Sequence, residues 1–461
     1  MGIFDVFKRI SNATKLLLII VLLIGFQQFP VIYIGGSFKI YELLGLILFF
    51  LYGIKWEKDF LVVLMFLFFV VSPIISLALF YLFDDVSSYY RIYPNVRSSF
   101  RHNIYIFPIL QLLFMFVNYV VLYNIYVNKE LYKNFNIVIK WIVVVGTCIA
   151  GYSIIAMFTG DPISHLPNII QNKHVYVFRS SGLSQEPSSY ILYQGWIVLF
   201  LWKLKSVFGN KTWIILFAIN VISLIFTFSS SLVLFVGVVV IVIFLISKAY
   251  MKMVYTGVLI ASLWIGYMAL SRYVDVQMLN YALVQKLEDY VWGREDAGGS
   301  GGFRHYESSL GWAIFDHNPV FGVGVGNSSY FMHEVAKKSP IVPLDEQLGA
   351  KSIPPNTFSC VFAEQGFFGG GTMMLMMLVS LYKFWLYRKK KYGYIFLTGA
   401  LFNIGCLLAI APQYSMYLWT FIFLALGYIR NKEKPRLCKL LQVENNGSVE
   451  DLGVFLIQKK P

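Results

Sequence analysis

Long apolar runs, separated by short polar and basic stretches, recur from one end of the chain to the other. Runs of roughly 17 to 25 residues, rising about 1.5 Å per residue, cross a hydrocarbon layer about 30 Å thick. They predict spanning helices at 16–35, 40–54, 60–83, 104–127, 137–158, 190–207, 212–228, 232–247, 253–270, 365–386, 394–411 and 414–429. The expected fold class is an all-α polytopic integral membrane protein. It has about 12 transmembrane helices, a large extracytoplasmic loop, and a single transmembrane domain over 1–461. The first run follows Lys8, Arg9 and Lys15 and lacks a small-residue cleavage site, so it reads as a retained helix rather than a removed signal peptide.

Lysine and arginine in short loops set the orientation, because they resist translocation and are costly at mid-bilayer. One alternate set of loops holds Lys55 and Lys58, Lys129 and Lys133, Lys203, Lys205 and Lys211, Lys248 and Lys252, and Arg388 to Lys391. That set is expected to be cytoplasmic. The tail 430–461, with Lys432, Lys434, Arg436 and Lys439, falls on the same side, so both termini are cytoplasmic, as an even span count requires. Three longer segments lie opposite: 84–103, the outer loop 159–189, and the large outer loop 271–364. Within 271–356 there are seven Lys plus Arg against ten Asp plus Glu, in keeping with a translocated segment. The first segment departs from that balance, with Arg91, Arg97, Arg101 and His102 near Tyr89, Tyr90 and Tyr93. It reads as an interfacial helix with snorkelling side chains or as a basic lip for anionic lipid phosphates.

Composition agrees and narrows the classes. Of 461 residues 58% are hydrophobic, 18% aromatic and 13% charged, and the mean hydropathy is +0.65, more apolar than soluble domains of this size. The net charge of +14 sits mostly between spans, which argues for membrane lipids and against nucleic acid as the partner. Cys148, Cys360, Cys406 and Cys438 are scattered, so neither a disulfide framework nor a cysteine metal site follows. Ionisable residues within spans, Glu42, Lys140 and Lys383, stand near predicted ends. A transporter or flippase usually needs such groups at depth, so that class is disfavoured.

Three stretches carry candidate chemistry. Arg179-Ser180-Ser181-Gly182-Leu183-Ser184-Gln185-Glu186-Pro187-Ser188-Ser189 ends the second outer loop where a helix begins. Its arginine, its serines (Ser184 among them) and the N–H groups of a helix start can bind a diphosphate, although a capped helix start with surface charges has the same residues. The second stretch runs Arg304-His305-Tyr306-Glu307, Gly311-Trp312, then Asn318-Pro319-Val320-Phe321-Gly322-Val323-Gly324-Val325-Gly326. If helical, Arg304, Trp312 and Phe315 fall on or near one face, and Asn-Pro ends the helix. The glycine alternation lacks a dinucleotide spacing and reads instead as backbone passing close to the bilayer surface or a substrate. Trp292, Tyr306 and Trp312 can stack on sugar rings or form an interfacial belt. The third stretch, Pro354-Pro355-Asn356-Thr357-Phe358 followed by Ala363-Glu364-Gln365-Gly366-Phe367-Phe368-Gly369, is a loop leading into a glycine-rich helix.

In order, with the Thr227-Phe228-Ser229-Ser230 hairpin between two spans, these stretches resemble the O-antigen polymerase and O-antigen ligase superfamily of membrane glycosyltransferases. The likeness covers roughly 170 to 370 by motif and the rest by hydropathy. It implies transfer of a glycan from undecaprenyl diphosphate at the outer face of a bacterial inner membrane, with anomeric inversion and with neither metal nor cofactor. The outer loops contain no Asp-x-Asp, in keeping with that expectation. On the family pattern Arg179 and Arg304 hold the diphosphate, with Arg272 a further candidate and Arg294 another. Glu186 is the first candidate for the catalytic base and His305 the second. Ser184, Trp312 and Asn356 are candidate substrate contacts. Ligases of the superfamily place a histidine before the asparagine matched to Asn356; here that position is Pro355, which favours the polymerase branch. The expected partners are an undecaprenyl-diphosphate-linked oligosaccharide and membrane lipids, with a chain-length regulator protein as a further candidate.

Overall fold

A computed structural model of the chain describes residues 10–27, 29, 31–33, 37–54, 57–83, 105–160, 179–184, 186–227, 229–247, 300–338, 353–408 and 416–445. The helices are α1 (Asn12–Leu23), α2 (Ile40–Tyr52), α3 (Phe60–Phe83), α4 (Ile106–Val127), α5 (Phe135–Thr159), α6 (Pro187–Lys203) and α7 (Asn210–Ile225). They continue as α8 (Ser230–Ser247), α9 (Ser300–His317), α10 (Ser328–Lys338), α11 (Thr357–Tyr387), α12 (Gly393–Cys406) and α13 (Met416–Asn445). Among the described residues four helices, α3, α4, α5 and α11, are long and apolar enough to cross a membrane. Shorter apolar helices include α1, α2, α7 and α12. The protein is an all-α membrane protein; the ninth predicted span, 253–270, lies outside the described residues.

Two expectations are corrected. The first apolar run does not stay helical to residue 35: α1 stops at Leu23, and β1 (Val31–Tyr33) pairs antiparallel with β2 (Ser37–Lys39), Ile32 opposite Phe38. An apolar run reads alike as strand or helix, but Pro30, the β-favouring Val-Ile-Tyr and Gly35-Gly36 break the helical repeat. The span predicted from 365 in turn starts earlier, with α11 beginning at Thr357, and the described residues of the segment 271–364 include two helices, α9 over the stretch whose spacing fits a helix and α10.

Helix α6 is the axis of the core. Every residue from Tyr190 to Leu201 is buried, the pattern of a helix enclosed on all sides. Trp196 stacks on Phe421 of α13 at 5.6 Å and donates to Asn403 Oδ1 of α12, whose amide donates to the Leu418 carbonyl at 3.0 Å. These bonds place buried polar atoms where they are satisfied and tie three helices together. Outward-facing Phe50, Leu82, Ile214, Ile215, Val236 and Ile241 remain exposed, as lipid-facing side chains do. At the lysine-rich end, Arg430 of α13 pairs with Glu57 and lies 3.4 Å from Asp59. It also stacks 4.9 Å over Tyr126 of α4, whose hydroxyl donates to Asp59 at 2.8 Å.

The segment α9–loop–α10 forms a hairpin that enters and leaves at the end of the bundle where α3 stops and α4, α6 and α11 start. Down α9, a Cβ on Gly311 would lie 2.8 Å from Pro354 and 3.1 Å from Ser359, and Phe315 packs on Phe362 at 5.2 Å, so α9 descends beside α11. At the tip a Cβ on Gly324 would lie 3.2 Å from Leu77 of α3, and one on Gly326 would lie 3.1 Å from Phe107 and 3.2 Å from Gln111 of α4. At a rise of about 1.5 Å per residue, Leu77 is about 9 Å in from the end of α3, and Phe107 and Gln111 are about 1.5 and 7.5 Å in from the start of α4. The chain then climbs, bringing Phe331 of α10 against Phe80 at 6.0 Å.

Irregular backbone at that depth must satisfy its polar groups within the protein. It does so because α11 is broken at Gly366, which adopts φ 62° and ψ −161°. Val323 and Gly324 donate to the carbonyls of Ala363 and Glu364 at 3.0 and 2.9 Å. In return Phe367 and Phe368 donate to the carbonyls of Pro319 and Val320 at 2.7 and 3.1 Å. A Cβ on Gly322 would lie 2.4 Å from the Glu364 backbone, and one on Gly366 would lie 2.4 Å from Val320. The glycine alternation thus serves a backbone-to-backbone weld between hairpin and broken helix. Ser76 of α3 donates to the Glu364 carbonyl, and Ser328 donates to the Glu364 carboxylate at 2.7 Å, closing the joint. Across from it α3 contains a π-turn, Leu67–Val71, just before Pro73, whose missing N–H and bulky ring disrupt the regular ladder.

Candidate functional site

The segment from Arg179 to Ser184 is fixed by hydroxyls rather than by secondary structure. Ser180 Oγ lies 2.6 Å from Ser153 Oγ of α5 and 3.0 Å from Ser223 Oγ of α7. Ser223 is in turn 2.7 Å from the Tyr190 hydroxyl of α6, and Ser153 Oγ accepts the Gly182 N–H at 2.9 Å. The Ser180 N–H donates to the Phe226 carbonyl at 2.8 Å. Arg179 then donates from Nε to the Thr227 carbonyl at 3.1 Å, so the sequence-flagged hairpin after α7 orients this guanidinium. Ser184 is buried, and its hydroxyl has no hydrogen-bond partner among the described residues.

Glu186 is the residue before the first turn of α6, with Pro187 at the first helical position. Its carboxylate does not cap the helix; it accepts from Ser188 Oγ at 3.1 Å and lies 3.7 Å from Arg304 Nη2. Arg304 sits in the second turn of α9, more than a hundred residues further along the chain. Both side chains are more than two-fifths exposed. A pair that open to solvent contributes little to stability. Its position matters more: it brings a guanidinium to a carboxylate that stands at the N-terminal end of a helix, where the first backbone N–H groups favour anions.

Helix α9 presents two faces. Tyr306, Leu310 and Ile314 form its buried stripe, against Phe80, Val323 and Phe331. Arg304, His305 and Trp312 lie on the open side, and Phe315 is half-buried, as the predicted helical spacing requires. Trp312 is 40% exposed and packs on Phe362 at 5.5 Å. Tyr306 belongs to the core, so the expectation that it stacks on sugars is corrected. Asn356 is the N-cap of α11: its Oδ1 accepts the N–H of Phe358 at 2.8 Å and of Ser359 at 3.5 Å. Arg272, Trp292, Arg294 and the basic stretch 84–103 lie outside the described residues.

With that geometry in place, residues 215–374 match the family model described as O-antigen ligase. The match covers about a third of the chain and supports a likeness of that stretch to the O-antigen ligase and polymerase superfamily. Members of this superfamily are membrane glycosyltransferase-like enzymes. No curated protein matches the chain. The superfamily stretch holds Arg304, Trp312, Asn356 and the whole weld at Gly366. Arg179 and Glu186 precede it, so the Arg304–Glu186 pair joins the matched stretch to the helices before it.

The sequence reading overlooked the hydroxyls of Ser153, Tyr190 and Ser223 and the carbonyl of Thr227. Buried serines in apolar helices are common and carry no spacing that points to a loop elsewhere. The break in α11 had a signal, the glycine of Glu364-Gln365-Gly366, but glycine is frequent in membrane helices and gave no reason to place a break there.

Proposed function

We propose that the protein is a polysaccharide polymerase, an enzyme that moves a growing glycan from undecaprenyl diphosphate onto a lipid-linked repeat unit. The observation that carries this is the approach of Glu186, at the start of α6, and Arg304 from separate segments, with Arg179 anchored on Thr227 seven residues before Glu186 in the chain. Arg179 and Arg304 bind the donor's diphosphate and neutralise the charge that develops on it as it departs. The acceptor hydroxyl oxygen attacks the anomeric carbon from the opposite side, the bond to the phosphate oxygen breaks, and the configuration inverts. Undecaprenyl diphosphate leaves with the bonding electrons, and Glu186 takes the hydroxyl proton. Donor phosphate drawing Arg304 away from Glu186 frees the carboxylate for that task. His305, exposed next to Arg304, is the alternative base.

Two features favour a polymerase over a ligase. Pro355 supplies no imidazole where ligases of the superfamily carry histidine, and Asn356 is committed to capping α11. A transporter of lipid-linked sugars is the reading from a different class. The test is gel analysis of surface polysaccharide and lipid-linked intermediates in cells with and without the protein. A polymerase gives loss of the long-chain ladder while single repeat units are still transferred to their acceptor. Long chains retained on undecaprenyl diphosphate identify a ligase, and repeat units stranded on the cytoplasmic face identify a transporter.

A further inference from the structure

We propose that the buried hydroxyl chain Tyr190–Ser223–Ser180–Ser153 is a positioning device that sets the aim of Arg179, and that it works by clamping the chain on which Arg179 sits rather than by touching substrate. The proposal rests on the reading of Arg179 as a diphosphate-binding residue.

Four observations carry it. The hydroxyls come from three helices and one loop, α5, α6, α7 and the 179–184 segment, and join end to end at 2.7, 3.0 and 2.6 Å. Four hydroxyls with three links need three of their four protons, so the chain can be satisfied in one continuous direction, and its polar atoms are buried without loss. It grips the loop at two points that flank Ser181: Ser180 through its side chain, and Gly182 through the N–H donated to Ser153. Lastly, the Ser180 N–H and Arg179 Nε bond to successive carbonyls, Phe226 and Thr227, at the end of the helix that also supplies Ser223. Ser223 thus fixes the loop to the same turn of α7 that orients the guanidinium. Spending Nε on Thr227 sets the plane of the guanidinium and so the direction of its remaining N–H groups. Because an arginine binds phosphate through a planar fork, a small change of aim matters more for it than for a lysine.

One turn deeper on the same helix, Asn220 donates to Thr147 Oγ1 of α5 at 2.7 Å and bonds to Gln194 of α6. This second polar contact ties the same three helices without touching the 179–184 segment, and it is the matched control.

The experiment compares Ser223→Ala, Tyr190→Phe and Thr147→Val in the purified full-length protein in lipid nanodiscs. Each is scored for thermal midpoint, for polymerisation of lipid-linked repeat units, and for equilibrium binding of undecaprenyl diphosphate. Ser223→Ala and Tyr190→Phe are expected to lower kcat/KM and undecaprenyl diphosphate affinity about tenfold, a shift of about 1.4 kcal/mol. Thr147→Val, at a similar loss of thermal midpoint, stays within about twofold of wild type. In an Arg179→Lys background, which keeps a charge but lacks the Nε donor, Ser223→Ala is expected to cause no further loss of binding or activity. Wild-type binding in both hydroxyl variants overturns the proposal. So does a full additional loss in the Arg179→Lys background, or an equal loss in Thr147→Val, since each means that the hydroxyls act through general stability. Full activity and binding in Arg179→Ala instead removes the diphosphate role of Arg179, whatever the hydroxyl variants do.

Discussion

Gly366 and Gly53 have the same backbone conformation, φ 62° and ψ −161°, in opposite surroundings. A Cβ added at Gly53 meets nothing within 4 Å, whereas one at Gly366 lies 2.4 Å from the Val320 carbonyl carbon and oxygen and 2.5 Å from the Phe321 nitrogen. Alanine therefore pays the same intrinsic strain at both sites, on the order of 1–3 kcal/mol for this sparsely populated region. Only at Gly366 does it also push two backbones apart. Overpacking of that kind typically costs about 1–3 kcal/mol. Separating the strands of the weld weakens four backbone hydrogen bonds, each worth about 1 kcal/mol net and more when left unpaired away from water. Gly366→Ala should thus be less stable than Gly53→Ala by about 3 kcal/mol or more. At a conversion of about 2 °C per kcal/mol for a large domain, that is a midpoint about 6 °C lower. The assay is thermal unfolding of both variants in one detergent at one scan rate, with proteolysis of the 318–327 segment as a local readout. Equal midpoints and equal protection would refute the weld.

Other expectations follow from particular contacts. Arg304→Lys retains charge but loses the fork, so donor binding should fall about tenfold with the fold intact, and Glu186→Gln should lower kcat far more than it changes donor KM; full turnover by Glu186→Gln eliminates Glu186 as the base. Asn356→Ala removes the cap of α11 and should cost about 1 kcal/mol of stability, which Asn356→Asp should largely restore, as thermal unfolding will show. Glu130 accepts the Ser11 N–H at 3.0 Å, the Ser11 hydroxyl at 2.7 Å and the Thr14 hydroxyl at 2.8 Å, and these donors, the backbone one foremost, hold its pKa below the ordinary carboxylate value. Because the folded value is the lower one, its stabilisation is fully present above the unfolded pKa, about 4.3, and is lost as pH falls through the folded value. The midpoint gap between wild type and Glu130→Gln should accordingly be constant from neutral pH to about pH 6 and shrink in acid; a gap that widens in acid would reverse the assignment.

How much of this was legible in the sequence varies with the range of the interaction. Helices α2 to α7 lie where the apolar runs predict, because lipid-compatible length and composition are local properties. The helical face of Arg304, Trp312 and Phe315 was equally local. The first run misled because Val31, Ile32 and Tyr33 are as apolar in a strand as in a helix, and only punctuation by proline and glycine tells them apart. The pairing of Glu186 with Arg304, and of Arg179 with Thr227, could not be read at all. Both depend on which helix ends meet, and twelve apolar runs of similar hydropathy permit many neighbour relations. Gly322 and Gly366 come between these cases: each was visible as an unusual residue, but the partner backbone that each admits lies more than forty residues away.

The weld and the site are mechanically one object. Arg304 lies fourteen residues above Asn318 on α9, about 21 Å at 1.5 Å per residue, so a tilt of about 5° at the tip moves the guanidinium by about 2 Å. The Arg304–Glu186 separation is 3.7 Å, and a displacement of that size would end the approach. The carboxylate end of the pair has an independent anchor in α6, the most enclosed helix of the core, so movement of the tip is not followed by Glu186. A weld variant that still folds should therefore lose activity through geometry, with donor affinity falling as Arg304 leaves its place. The same reasoning explains why the backbone of the tip is fixed by four main-chain hydrogen bonds and two serines rather than by packing alone: a lever of this length needs a fulcrum that does not slip.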